Sequence, residues 1–152
     1  MDAQDREPEP VALALYDAEC PFCCWSMAKL LAWDRGRRLA VLPLQDDAAA
    51  ALLPGMAEAE RMASWHLVER SGAVHSGGAA LAPLIRLLPL GGLLARLAER
   101  MPRLSERAYA AVSRHRGRLA PAIGRGARLR ARRRLAERTL PAAQARAWAA
   151  GR

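Results

Sequence analysis

A Cys-Pro-Phe-Cys motif at residues 20–23 follows an apolar segment, residues 11–16, after a loop of three residues. The apolar segment has the length and composition of a buried β-strand. Pro21 fits the first position of a helix, where its fixed φ favours the helix and its missing N–H leaves no hydrogen bond unmade. The sequence therefore predicts a strand that leads into a helix whose beginning contains both cysteines.

This arrangement suits thiol-disulfide exchange. Two cysteines separated by two residues on a first helical turn can form a disulfide with each other and exchange it with the thiols of a substrate. The free N–H groups and partial positive charge of a helix N-terminus favour the thiolate of the first cysteine. We expect Cys20 to be the exposed nucleophile and Cys23, which is more buried, to resolve the mixed disulfide. Simple core packing of the cysteines remains open as a second interpretation.

Two neighbours of the pair each have two interpretations. Asp17 precedes Cys20 by three residues, so we expect it either to accept a proton during resolution or to hydrogen-bond N–H groups of the loop. Cys24 follows Cys23 directly and, on a helix, points about 100° away from it. We expect Cys24 to pack in the core, with a backup or regulatory thiol as the alternative.

The cysteine count limits the other possibilities. All three cysteines lie within five positions, unlike those of a disulfide scaffold, which staple distant segments. The histidines His66, His75 and His115 lie singly, and no second cysteine cluster is present. A metal site formed by Cys20, Cys23 and remote histidines stays an alternative, whereas the main hypothesis needs no metal and no organic cofactor.

Apolar periodicity and helix breakers predict the remaining elements. A strand, a helix and a second strand form a βαβ unit with a parallel strand pair, and a later hairpin adds an antiparallel edge. The expected fold class is α/β: a thioredoxin-like arrangement with a small mixed central sheet, CxxC at a helix N-terminus and extra C-terminal helices. We expect strands at 11–16, 39–44, 65–69 and 73–75 and helices at 21–33, 46–53, 57–62, 79–88, 93–100, 105–114 and 127–138.

The N-terminus and the apolar stretches indicate where the protein works. Residues 1–10 are acidic, contain prolines and lack the pattern of a signal peptide, so we expect a flexible leader. The longest apolar stretch, residues 79–95, is interrupted by Pro83, Arg86 and Pro89, and no transmembrane segment is expected. These features predict a cytoplasmic protein, in which a CxxC pair is catalytic or metal-binding rather than structural.

The net charge of +9 is unevenly distributed along the chain. Residues 1–100 carry ten basic and thirteen acidic side chains, whereas residues 101–152 carry fourteen arginines and two glutamates. We expect a thioredoxin-like domain at 11–120 and a basic Arg/Ala-rich segment, helical or disordered, at 121–152. The basic segment is either solvated or in weak contact with an anionic surface such as nucleic acid or lipid. Its scarcity of aromatic residues disfavours base stacking.

The residues around the motif resemble the signature of the DCC family of predicted thiol-disulfide oxidoreductases, named for its Asp-Cys-Cys motif. That signature is a strand followed by Tyr-Asp-Gly-x-Cys-x-x-Cys, and residues 15–23 read Leu-Tyr-Asp-Ala-Glu-Cys-Pro-Phe-Cys. The resemblance covers about residues 11–120. Further matching positions are Trp33, Asp34, Leu39, Pro43, Leu44, Gln45, the Gly72 hairpin, and Tyr109 followed by Arg114.

The resemblance implies a thioredoxin-like fold, activity on disulfides, and functional roles for Asp17, Cys20 and Cys23. The main hypothesis is therefore a thiol-disulfide oxidoreductase, such as a protein-disulfide reductase, that acts on disulfide-containing proteins or small thiols. The sequence does not identify its redox donor. Two alternatives remain: a redox-sensing thioredoxin-like binding module whose basic segment meets an anionic partner, and a cysteine-based metal-binding protein.

Overall fold

Four short β-strands form a mixed sheet at the centre of the protein. The computed structural model describes residues 9–151, apart from the side chain of Ala149. In the described part of the chain the strand order is β2-β1-β3-β4. The strands are β1 (Ala12–Tyr16), β2 (Leu39–Pro43), β3 (His66–Glu69) and β4 (Val74–Ser76).

The pairing of these strands confirms the predicted α/β class and its thioredoxin-like arrangement. β1 pairs in parallel with β2 and antiparallel with β3, and β3 pairs antiparallel with β4. The first helix connects the two parallel strands, as a βαβ unit requires. The helices of the described residues are α1 (Pro21–Trp33), α2 (Asp47–Leu52), α3 (Glu58–Ala63), α4 (Leu81–Leu87), α5 (Gly91–Arg100), α6 (Pro102–Leu119), α7 (Arg125–Arg138) and α8 (Ala142–Ala150).

Most helices agree with the predicted bounds to within two residues, and two differ by more. α6 begins at Pro102 and continues to Leu119, beyond both ends of the expected 105–114. A proline favours the first helical turn, and Gly117 lowers helix propensity without ending the helix. The short helix α8 was not expected from the sequence, because alanine-rich residues show little apolar periodicity until a partner surface is known.

The sheet has a core on each face. Alternate residues of β1 point to opposite sides: Ala14 and Tyr16 pack with residues of α1, while Leu13 and Leu15 pack with residues of α2. All five residues of β1 are buried, because β1 lies inside the sheet and both its faces are covered. A strand covered on both faces has a continuous apolar sequence, and this explains the apolar run at residues 12–16.

The C-terminal segment contributes to both cores. α7 packs against α1 and buries Ala131 and Leu135 in the core on that face. α8 packs against α2, where Ala145 and Trp148 join the opposite core. Between the two helices, the N–H of Leu140 donates to Val41 O at 2.9 Å. Residues predicted as a basic helical or disordered segment thus form two helices that cover the sheet and its β2 edge.

A buried ion pair connects α7 to the sheet. The Asp34 side chain is fully buried at the end of α1, and Arg138 donates a hydrogen bond to its carboxylate. The same carboxylate accepts the N–H groups of Arg38 and Leu39, at 3.1 and 2.9 Å. Arg138 also donates to Leu39 O at 2.7 Å. One carboxylate therefore links the end of α1, the start of β2 and the end of α7.

No helix between residues 9 and 151 combines the length and the apolar character that crossing a bilayer requires.

Candidate active site

Cys20 is the N-cap residue of α1. Its backbone is extended, with φ −86° and ψ 110°, and its Sγ accepts the N–H of Cys23 at 3.2 Å. Pro21 occupies the first helical turn, as the sequence predicts. The sulfur of Cys20 therefore lies where free N–H groups and the partial positive charge of the helix converge. Negative charge on this sulfur is stabilised by that position.

Cys23 lies one turn further along α1 and is half-buried, and Cys20 is also half-buried rather than exposed as the sequence predicts. Burial, together with the hydrogen bond to Cys20 and the charge of Cys20, raises the pKa of the Cys23 thiol to about 12. Arg116 opposes this effect, because its Nη1 lies 3.9 Å from Cys23 Sγ. Cys23 is thus a protonated thiol at neutral pH, beside a cation that favours its ionised form.

The structure brings the three predicted site residues together. One carboxylate oxygen of Asp17 and the sulfurs of Cys20 and Cys23 all lie within 4.8 Å of one another, and the three residues are half-buried. This is the only group of three or more potential metal ligands among residues 9–151. Two thiolates and a carboxylate are donors that zinc accepts, so the same geometry also suits a cation.

Asp17 has neighbours that suit both of its predicted roles. Its Oδ1 accepts the N–H of Glu19 at 3.0 Å, within the loop, and the amide N–H of Gln45 at 2.8 Å. The Gln45 Oε1 in turn accepts the N–H of Ala18 at 3.2 Å. Gln45 therefore holds the start of the loop before Cys20 by two hydrogen bonds, and it orients the carboxylate beside the sulfurs.

Sequence reasoning missed Gln45 as a site residue. Gln45 follows β2, and the N–H of Leu44 donates to Tyr16 O at 2.8 Å, which keeps the ends of the two parallel strands adjacent. The carboxyl ends of parallel strands meet at one edge of a sheet, where sites commonly form. The predicted parallel pairing of β1 and β2 was therefore the signal that could have placed Gln45 beside Asp17.

Arg116 was also missed, and α6 brings it to the site. A Cβ on Gly78 would lie 2.6 Å from the Cα of Glu106, so glycine allows α6 to approach the chain after β4 closely. Tyr109 and Arg116 lie seven residues apart on one face of α6, with Ser113 between them. The resemblance pointed to Arg114 after Tyr109, but Arg114 is exposed and Arg116 is the arginine beside Cys23.

Tyr109 extends the site away from Cys23. Burial raises the pKa of the Tyr109 hydroxyl, although hydrogen bonds with the Trp65 backbone and with Ser113 act in the opposite direction. Its ring packs against Gly77, whose φ of +56° is in the left-handed region. Tyr109 is therefore a neutral, ordered phenol that fixes α6 against the start of β3.

Cys24 faces away from the pair. Its Sγ lies 3.3 Å from Ala18 O, to which it donates, and its side chain packs against the core on the α1 face. Burial raises the pKa of Cys24, as do the charges of Cys20 and Asp17, whereas Arg132 of α7 lowers it. Packing and a hydrogen bond to the loop thus account for this thiol.

The three histidines lie outside the cysteine cluster. His66 is buried, with Nδ1 2.7 Å from Ser76 Oγ and Nε2 2.9 Å from Arg61 O, and burial lowers its pKa. His75 contacts Glu69 at 3.2 Å, and His115 is exposed. A metal site that combines the CxxC pair with these histidines finds no support in this arrangement.

A separate cavity lies away from the cysteine cluster. A cavity of about 770 Å³ opens between the start of β2 and the C-terminal helices, and Arg37, Arg70 and Trp148 are among the residues that line it. None of the candidate site residues lines it. The site follows the carboxyl ends of β1 and β2, whereas this cavity is beside their amino ends. We therefore assign the chemistry to the cysteine cluster, on the basis of its reactive groups and not of cavity size.

Comparison with known proteins agrees with this geometry. The family model described as DCC1-like thiol-disulfide oxidoreductase matches residues 14–121, which include the end of β1, the CxxC motif and Arg116. No curated protein and no solved structure matches the chain. The family match covers well over half of the sequence and begins and ends close to the limits of the resemblance noted from the motifs. The chain belongs to the DCC1-like thiol-disulfide oxidoreductase family.

Proposed function

We propose that this protein exchanges its Cys20–Cys23 dithiol with the disulfides of proteins or small thiols. The observation that supports this most directly is the hydrogen bond from the Cys23 N–H to Cys20 Sγ at the start of α1. This N–H favours negative charge on the Cys20 sulfur, while burial keeps the proton on Cys23. Cys20 is therefore suited to attack the substrate disulfide, and Cys23 stays protonated until the mixed disulfide has formed.

In the first step the Cys20 thiolate attacks one sulfur of the substrate disulfide. A bond forms between Cys20 and that sulfur, the substrate S–S bond breaks, and the other substrate sulfur leaves as a thiolate that takes a proton from solvent. The product is a mixed disulfide between Cys20 and the substrate. Cys23 does not compete in this step, because burial and the neighbouring Cys20 charge keep it protonated.

In the second step Cys23 resolves the mixed disulfide. Once Cys20 is bonded to substrate its negative charge is gone, so one cause of the raised Cys23 pKa is removed while Arg116 remains at 3.9 Å. Cys23 loses its proton and attacks Cys20 Sγ, and the second substrate sulfur leaves. The substrate disulfide has then been reduced to two thiols, and the Cys20–Cys23 pair has been oxidised; an external thiol or dithiol reduces it again.

Asp17 is the proposed acceptor of the Cys23 proton, directly or through water. Its carboxylate lies in the same cluster as both sulfurs, and Glu19 and Gln45 hold it there. Asp17→Asn tests this role, because asparagine keeps an oxygen for those two hydrogen bonds and loses the base. Resolution should be slower than in the wild type at neutral pH, and the difference should shrink at high pH, where Cys23 ionises without a base. If the rate of resolution is the same as in the wild type at every pH, Asp17 only forms hydrogen bonds that hold the loop and does not accept the proton.

Trapping of the intermediate tests the proposed order of the two cysteines. With a disulfide substrate, Cys23→Ser should accumulate a mixed disulfide on Cys20, detectable by mass spectrometry, and Cys20→Ser should form none. Cys24→Ser is the matched control and should turn over as the wild type does. A mixed disulfide that forms on Cys23 or Cys24 instead of Cys20 would contradict the proposal.

Two other assignments make different predictions. A metal-binding role is favoured by the three clustered donors, and it requires metal to copurify in stoichiometric amount and to block alkylation of the cysteines. A redox-sensing binding module would keep its function in Cys20→Ser. The proposed oxidoreductase works in the cytoplasm, where glutathione and thioredoxin supply reducing thiols.

A further inference from the structure

The helix α5 presents its large apolar residues to solvent. Leu93, Leu94 and Leu97 are 79%, 50% and 54% exposed, and Leu90 before the helix is 96% exposed. Met101, at the end of the helix, is 44% exposed. Within α5, Leu93, Leu94 and Leu97 have the spacing i, i+1 and i+4 and so lie on one side of the helix, and the exposed Leu90 and Met101 flank its two ends. We call these five residues the apolar face of α5.

The side of α5 that packs on the protein is made of small residues. Gly91 and Ala95 are buried, and a Cβ on Gly91 would clash with the carbonyl oxygen of Ile85 in α4. The packing of α5 on α4 therefore depends on glycine and alanine, while the leucines contribute little to it. A surface helix that folded only to cover the core would have the opposite arrangement.

Leu90 strengthens this conclusion. Its φ of +61° and ψ of +10° lie in the left-handed region, where a residue with a Cβ is strained and glycine is favoured. Its side chain is almost completely exposed and gains no burial in exchange for that strain. Folding alone does not account for a leucine at this position, whereas a partner that covers the apolar face does.

Arginines border the apolar face. Arg96 and Arg100 are exposed on the adjoining side of α5, and Arg103 and Arg107 are exposed at the start of α6, next to the half-exposed Leu104. None of these four arginines forms an ion pair with an acidic side chain within residues 9–151. Glu99, the acidic residue of α5, is paired with Arg86. The border of the apolar face is therefore strongly positive.

We propose that the apolar face of α5 docks on the surface of an anionic lipid bilayer. The leucines enter the boundary between headgroups and acyl chains, with the helix lying in the plane of the membrane, and the four arginines bind lipid phosphates. This combination of a leucine-rich side and an arginine border is the pattern of an interfacial helix. The protein would bind reversibly to the membrane surface.

The charges favour a lipid surface over the other occupants. A second copy of the chain, docked through the same face in a symmetric pair, would bring two borders of unpaired arginines together, and like charges in contact are unfavourable. Nucleic acid would match the arginines but would leave the leucines in water, since this face has no aromatic residue for stacking. An anionic bilayer satisfies both the apolar and the basic residues.

The test is sedimentation of the full chain with lipid vesicles. Vesicles of phosphatidylcholine with phosphatidylglycerol should sediment the protein, vesicles of phosphatidylcholine alone should do so much less, and added salt should weaken the binding. The double variant Leu93→Gln, Leu97→Gln should lose partitioning by about tenfold for each leucine. The control is Leu129→Gln on α7, a leucine that is 68% exposed and lies outside the apolar face; it should bind as the wild type does.

Other results would overturn the proposal. The proposal is wrong if the wild type fails to sediment with anionic vesicles. It is also wrong if the double variant binds as well as the wild type, because binding would then depend on arginines elsewhere and not on the leucines. A wild-type dimer that the double variant abolishes, measured by light scattering, would assign the face to a second copy. The circular dichroism and the thiol-exchange rate of the double variant should match those of the wild type, so this test is independent of the proposed redox function.

Discussion

At the residue scale, the two cysteines of one motif have different chemical environments. Cys20 accepts a helix N-terminal N–H, whereas Cys23 is held protonated by burial and by Cys20. The motif alone predicts this difference, because position along a first helical turn decides which sulfur meets the free N–H groups. It does not predict the cation beside Cys23, which lies 93 residues away in the sequence.

The cation can be tested by substitution. In Arg116→Gln the pKa of Cys23 should rise further, because the positive charge 3.9 Å from its sulfur is removed. Resolution of the mixed disulfide should then slow by about tenfold, since an opposite charge at this distance shifts a pKa by about one unit or more. Quenched-flow alkylation with mass spectrometry measures the lifetime of the intermediate.

Arg114→Gln is the matched control, because Arg114 is exposed on the same helix and has the same charge. It should resolve the intermediate at the wild-type rate. Equal lifetimes in the two variants would show that Arg116 does not assist Cys23.

The raised pKa values also predict how stability depends on pH. Burial raises the pKa of Tyr16 from 10.0 to about 12, and the pKa of Cys23 rises from 9.0 to about 12. Above pH 9 the unfolded chain loses protons that the folded, reduced protein keeps, so unfolding becomes more favourable. Stability from these groups is complete below pH 9 and is lost progressively towards pH 12.

Urea midpoints of the reduced protein measure this effect. They should fall as pH increases above 9, and Cys23→Ala should reduce the fall most near pH 9, where Tyr16 is mostly un-ionised even in the unfolded chain. A decline of the same size in Cys23→Ala would mean that Cys23 is not the group responsible.

At the element scale, local patterns predicted most of the helices and strands. The bounds of α1 agree with the prediction, because a proline marks its start and apolar residues continue to Trp33. What the sequence did not predict are contacts between elements, such as the one between Gln45 and Asp17, which are 28 residues apart. Such contacts depend on strand order and helix packing, which local propensity does not contain.

The ion pair between Asp34 and Arg138 is another contact of this kind, and it predicts a large effect on stability. Arg138→Met should lower the free energy of unfolding by about 3–5 kcal/mol, because it leaves the buried Asp34 carboxylate without its cation. The double variant Asp34→Asn, Arg138→Met should lose less than the sum of the single changes. Urea unfolding of the four proteins measures the coupling.

Arg133→Met is the control for the ion pair. Arg133 is 81% exposed and lies near Glu137 on the same helix, and exposed pairs of this type contribute about 0.5 kcal/mol or less. A loss in Arg138→Met no larger than in Arg133→Met would contradict the structural role of the buried pair.

At the scale of the whole molecule, the basic C-terminal segment is part of the packing. Composition predicts a helical or disordered segment. Because arginines are so frequent in it, the few apolar residues that pack in the core do not form a recognisable pattern in the sequence. Ala131 and Leu135 of α7 are 4% exposed, whereas Leu129 on the same helix is 68% exposed. The boundary of the thioredoxin-like unit near residue 120 stays a proposal, and the segment beyond it covers that unit.

A pair of substitutions on α7 tests this packing. Leu135→Ala should lower the free energy of unfolding by about 2–5 kcal/mol, because it leaves a cavity in the core on the α1 face. Leu129→Ala should change it by about 0.5 kcal/mol or less, since its side chain is mostly in water. Equal small effects in urea unfolding would mean that α7 does not pack as described.

The central claim is that Cys20 and Cys23 form a reversible redox pair. Its most direct test is a titration of the full chain in glutathione or dithiothreitol buffers, with alkylation of free thiols and mass spectrometry to identify the cysteines involved. The account predicts a two-electron transition between a Cys20–Cys23 dithiol and its disulfide, with Cys24 remaining a thiol throughout and no transition in Cys20→Ser. A pair that never forms a disulfide, or that reacts only after metal is removed, would contradict it.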